Sequence, residues 1–169
     1  MKAAVRKLAI AALALAALLA VAAGTVVVVM VVFDSPGGMP SSYRATDHDA
    51  RLTPIARSAA PLIAAIDRFY AANGKCPRVT EHDLAELRAD LPQDFAGEIE
   101  AGEIEFRPRG AANGWRYYSP DAKPTACNLS HKLSWDPALV WLRHGAQTRW
   151  VFLPGDGSAE TKIRLESAR

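Results

Sequence analysis

From Leu8 to Phe33 the chain runs for 26 residues without a charge. No other stretch limits the architecture so strongly, because a helix needs roughly 20 predominantly apolar residues to cross a hydrocarbon core of about 30 Å. Fourteen of the 26 are Leu, Ile, Val or Phe. Each favours insertion by about 0.3–0.6 kcal/mol near the bilayer centre, for an upper bound of roughly 4–8 kcal/mol. Lys2, Arg6 and Lys7 precede the run and Asp34 follows it, so the positive-inside bias puts the N-terminus in the cytoplasm and the rest of the chain outside. A cleaved secretory signal is the rival reading, since Ala20-Val21-Ala22 has the small-x-small form of a peptidase site. The apolar run continues through Val26–Val29 to Phe33, past the end of a signal's 7–15-residue core, which favours an uncleaved anchor. Ala12, Ala16, Ala20 and Gly24 share one helix face in the small-xxx-small pattern, although nine of the 17 residues from Leu8 to Gly24 are Ala and make such a ladder by composition alone.

The division that follows is a cytoplasmic tail at 1–7, a transmembrane helix at 8–33, a flexible tether at 34–47 and one α+β domain at 48–169. The tether is assigned from its two Pro, two Gly and several small polar residues in DSPGGMPSSYRATD. Three of the 20 basic residues precede the anchor, leaving 17 against 18 acids, or −1, beyond Phe33. A near-neutral domain offers no electrostatic footprint for nucleic acid, so no nucleic-acid partner is expected.

Cys76 and Cys127, the two cysteines, both lie beyond the anchor, and their spacing fits neither a Cys-x-x-Cys redox motif nor a zinc site. In an oxidising compartment they are expected to form a disulfide, which closes a long loop for about 4 kcal/mol in the chain-entropy account. Two buried free thiols are the alternative if the topology is inverted.

Within the domain, Thr53-Pro54 reads as an N-cap with Pro at the first helical position, and Ile55, Ala59, Leu62, Ile66, Phe69 and Tyr70 recur at helical spacing. This predicts a long amphipathic helix, kinked or with a broken first turn near Ser58 to Pro61 and stopped by Asn73-Gly74. Thr80 to Asp83 reads as a capped start for a short second helix carrying Leu84, Leu87 and Leu91. From there the period changes to two: Ile99, Ile104 and Phe106; Trp115 and Tyr117; Leu129, His131, Leu133 and Trp135; then Leu139 and Trp141, Trp150 and Phe152, Ile163 and Leu165. Strands in a row after helices imply an antiparallel sheet with the long helix on one face. The four Trp suit a helix–sheet core, whereas one exposed on the open sheet face would mark a binding surface. The AGEIE at Ala96–Glu100 and Ala101–Glu105 is a local duplication, not a solenoid repeat.

The stretch LIAAIDRFYAANGKCPRVTEHDLAELRADL, Leu62 to Leu91, together with Gly114-Trp115-Arg116-Tyr117-Tyr118 and Gly155-Asp156-Gly157, resembles the periplasmic domain of type IV pilins and type II secretion pseudopilins. The resemblance implies a pilin-like fold and, with the Ala- and Val-rich anchor, a bacterial inner membrane with the domain in the periplasm. The family's prepilin-peptidase site has a Gly, an aromatic and then a Glu at the head of the apolar helix. Here that position reads Arg6-Lys7-Leu8-Ala9-Ile10, so the resemblance bears on fold and does not imply filament assembly.

Candidate chemistry is sparse. Asp156 lies where major-type pseudopilins resemble a calcium site, but Gly-Asp-Gly between strands also reads as a hairpin turn. His48, His82, His131 and His144 lack zinc-ligand spacing. Ser130, His131, Ser134 and Asp136 hold the letters of a hydrolase triad, yet strand alternation sends Ser130 and His131 to opposite faces, with no Gly-x-Ser-x-Gly elbow. Glu98, Glu100, Glu103 and Glu105 read as a solvated strand face rather than paired acids. The expectation is a non-enzymatic binding or assembly protein without catalytic, cofactor or metal residues. It meets the bilayer through 8–33 and touches another envelope protein through a sheet face or an edge strand. A minor pilus or secretion-system subunit and a periplasmic enzyme are the alternatives.

Overall fold

The computed structural model describes residues 39–40, 42–93, 95–108 and 113–165. The expected tail and membrane helix, and part of the tether, lie outside the described residues. Among the described residues no helix is long and apolar enough to cross a membrane.

Among the described residues three short helices precede seven strands: α1 (Leu52–Ser58), α2 (Ala60–Asn73), α3 (Glu81–Ala89), β1 (Phe95–Glu100), β2 (Glu103–Pro108), β3 (Trp115–Tyr118), β4 (Ala126–Lys132), β5 (Ala138–His144), β6 (Gln147–Leu153) and β7 (Thr161–Ile163). The strands form one antiparallel sheet whose spatial order is the order in sequence.

The expected pilin-like architecture, with one long amphipathic helix on the sheet, is therefore corrected. Residues 52–73 form two separate helices of 7 and 14 residues that meet at Ala59. Pro61 has no N–H to return to Arg57 and its ring crowds that carbonyl, so the ladder stops and restarts. The start is also different. α1 begins at Leu52, and Thr53 is a buried first-turn residue rather than the N-cap. Asp49 anchors the turn instead: its carbonyl accepts from Leu52 N at 3.1 Å and its Oδ1 accepts from Arg51 N at 3.1 Å.

α3 starts as its sequence suggests. Extended Thr80 caps it, accepting from Asp83 N at 3.3 Å. The Asp83 carboxylate answers by accepting from Arg78 N at 2.7 Å, two residues before the cap, rather than from the cap residue itself. Burial works against that charge, but the Arg78 N–H and the neighbouring His82 and Arg78 side chains prevail and hold Asp83 below its ordinary pKa.

Strand alternation sorts the sheet into two faces. Ile104, Phe106, Trp115, Tyr117, Leu129, Leu139, Trp141 and Phe152 join Leu52, Leu62, Ile66, Phe69, Leu84 and Leu87 of the helices in one buried core. Two polar groups of its large aromatics are satisfied: Trp115 Nε1 donates to Ser58 Oγ at 3.1 Å and Tyr117 OH to Pro77 O at 2.6 Å. Cys76 and Cys127 stand at disulfide distance, Cα–Cα 6.1 Å, tying the loop after α2 to β4. Beside them Arg143 carries the helix–sheet join outward, pairing with Asp67 of α2 and lying 4.5 Å from the Tyr70 ring centroid.

The duplicated AGEIE becomes the β1–β2 hairpin. The second copy opens with Ala101 and Gly102, both at positive φ (50° and 81°), the signature of a two-residue type I′ turn. Ile99 then faces Ile104, and Glu100 faces Glu103.

Candidate functional site

Among the described residues no helix packs on the second face of the sheet. Its buried apolar residues, Ala138, Val140 and Val151 with Leu142 beside them, form a separate cluster drawn from β5 and β6 alone. The pairing register carries a single row across this face: Glu98 opposite Glu105, Glu105 opposite Arg116, Arg116 opposite Ser130, Ser130 opposite Val140, Val140 opposite Val151 and Val151 opposite Lys162. Chemically the row runs acid, acid, base, hydroxyl, apolar, apolar, base. The four glutamates read as one solvated face do lie on this side, and Glu98–Glu105 and Glu100–Glu103 are direct like-charge pairs. Such pairs repel. Arg107 at 2.6 Å from Glu105 and Arg116 at 3.9 Å from Glu103 offset part of that repulsion.

Where the cations begin, the face dips into an open groove of about 290 Å³ lined by Arg107, Arg116, Lys132, Ser130, Glu105 and Trp135. Trp135 is the exception among the four tryptophans. Trp115 and Trp141 are buried and Trp150 packs against the core, whereas Trp135 is 66% exposed. Its place corrects the sequence reading. β4 ends at Lys132, so Leu133 and Trp135 do not continue the strand; Leu133 N and Ser134 N both donate to Pro137 O, closing a tight loop.

That loop is braced on several sides. Lys132 Nζ donates to Trp135 O at 3.2 Å, and Met39 N donates to Leu133 O at 3.1 Å. Gly155 of the β6–β7 loop packs so close that a Cβ there would stand 2.4 Å from Asp136 O. The indole is thus held out by a fixed backbone.

No protein-family model, curated protein or solved structure matches the chain. The pilin resemblance consequently gains no support beyond the residues that suggested it, and the site is read from its own geometry.

The remaining residues singled out in the sequence fall as follows. Ser130 lines the groove, while His131 faces the core, its ring 5.0 Å from Trp115 and its Nδ1 donating to Gly114 O at 2.9 Å. Burial lowers the His131 pKa, so the neutral ring is favoured. Ser134 is fully buried. Asp156 pairs with Arg44 and accepts from Ser158 N at 3.0 Å; the Ser158 hydrogen bonds lead in holding its pKa low. Among the described residues no three His, Cys, Asp or Glu side chains come together to hold a metal ion. His48 and His82 are exposed beside Asp47 and Asp83.

What the groove offers is contact: two guanidinium forks, an ammonium, a hydroxyl and a presented indole. None of these three cations was singled out by sequence. They sit on β2, β3 and β4, and only the register brings them together.

Proposed function

We propose that this chain is a non-enzymatic, membrane-anchored binding or assembly protein of a bacterial envelope, docking another envelope protein through the sheet face opposite α1–α3. The observation that carries the reading is Trp135, held rigidly in solvent at the rim of a cation-lined groove. A soluble domain gains nothing in stability from an indole left in water, and Trp and Arg are the residue types over-represented among the side chains that carry binding energy at protein interfaces. The anchor rests on the charge-free run from Leu8 to Phe33, and the periplasmic side on the basic residues before it together with a cysteine pair at bonding distance.

The test is site-specific photocrosslinking in intact cells. A photoreactive side chain at Trp135 or Arg116 is expected to trap one protein of defined mass, and the same group at Glu86 on the exposed side of α3 is not. Equal trapping from both sides refutes the docking face. A C-terminal reporter active only in the cytosol refutes the envelope placement.

A further inference from the structure

Resting on that docking reading, we propose that the groove beneath Trp135 receives an acidic segment of the partner protein, its carboxylates on Arg107, Arg116 and Lys132 and an apolar side chain against the indole. Three cations from three adjacent strands line one groove; Arg107 engages Glu105 at 2.6 Å and Arg116 stands 3.9 Å from Glu103, while Lys132 Nζ meets the carbonyls of Trp135 and Asp136, which leaves positive charge in excess. Guanidinium forks match carboxylates with two parallel hydrogen bonds, so two Arg in one groove suit carboxylate recognition better than a diffuse positive field does.

The acids of the same face add direction. Glu98 and Glu100 lie on the edge strand β1 and Glu103 and Glu105 on β2, so an acidic segment is repelled at that edge and drawn towards Arg116 and Lys132 on β3 and β4, with Arg107 at the boundary. A polypeptide is favoured over an acidic sugar by what adjoins the cations. Lys132 is paired with Ala138, and Ala138 with the exposed Leu153, which sets an apolar ledge next to the positive charge. A peptide can present carboxylates and aliphatic side chains at that spacing together.

The experiment uses the full chain in non-ionic detergent and follows the anisotropy of three labelled probes: a short peptide alternating Glu and Leu, its Gln and Leu isostere, and a uronate oligosaccharide. The Glu peptide is expected to bind about tenfold more tightly than the Gln peptide, with the preference shrinking as salt rises. Combining Arg107→Gln with Arg116→Gln should erase the preference, whereas Lys162→Gln, on the same face outside the groove, should leave it intact. Unfolding midpoints of the variants matching the parent confirm that a lost preference is not lost folding. Equal binding of the two peptides, or a preference surviving the double substitution, overturns the proposal. Tighter binding of the oligosaccharide overturns the choice of a peptide. A crosslink from Trp135 in cells without any Glu preference sinks this inference alone, while absence of that crosslink sinks the docking reading beneath it.

Discussion

Reducing the Cys76–Cys127 link should cost the domain about 4 kcal/mol. The two residues are 51 positions apart, and the chain-entropy relation for a loop of that length gives close to this value at room temperature. The native side should change little. Cys76 N still donates to Pro124 O at 2.7 Å and Tyr117 OH to Pro77 O at 2.6 Å, so both ends of the link stay placed without it. The loss therefore sits in the unfolded chain, which gains freedom and expands. Urea unfolding of the full chain in detergent, followed by tryptophan fluorescence with and without reductant, measures it on one sequence. For a slope of about 1.5 kcal/mol/M the midpoint should fall by roughly 2–3 M, with a steeper slope in the reduced form. Midpoints agreeing to within about a tenth of that shift would refute the reasoning.

Asp49 accepts hydrogen bonds from Arg51 and Tyr43, the Arg51 contacts leading, and its pKa drops from 3.8 to about 2. Because the folded value is the lower one, its contribution of about 2 kcal/mol is complete above the unfolded pKa and is lost as pH falls from about 4 to 2. Urea midpoints against pH should show that loss, and Asp49→Asn should flatten it. Gly155→Ala should destabilise by about 1–3 kcal/mol, since φ there is 82° and the new Cβ would meet Asp136 O; an unchanged thermal midpoint would count against the bracing of the Trp135 loop. Tyr117→Phe leaves Pro77 O without its buried donor and should cost about 1–3 kcal/mol in urea titrations.

The sheet was legible because six runs of alternating residues leave little else to build; the seventh strand was hidden because Ile99 and Ile104, taken as one run, fall on two strands on either side of the Ala101–Gly102 turn. The helices were half legible. The cap at Thr80 shows in four consecutive letters, but α1 begins on Asp49 and Arg51, whose mutual bonding no periodicity announces. Pro61 marked the break, yet the consequence, two helices in place of one, depends on how Ala59 turns the chain. Trp135 was misplaced because it keeps step with Leu129 and His131; Asp136-Pro137 was the available signal that the strand had already ended. Of the groove, sequence showed only the parity of the glutamates. Its cations stand far apart along the chain, at 107, 116 and 132, and become neighbours only through hydrogen bonding between strands.

Spatial order that repeats chain order has a consequence for assembly. Every strand finds its mate next door along the polypeptide, so the sheet can grow one arm at a time from any hairpin, with short loops to close at each step. The exception is the Cys76–Cys127 pair between the loop after α2 and β4, which joins residues 51 positions apart instead of sequence neighbours. The helical segment is thus tied to the middle strand of the seven, and trimming an outer strand shortens the meander without rethreading what remains.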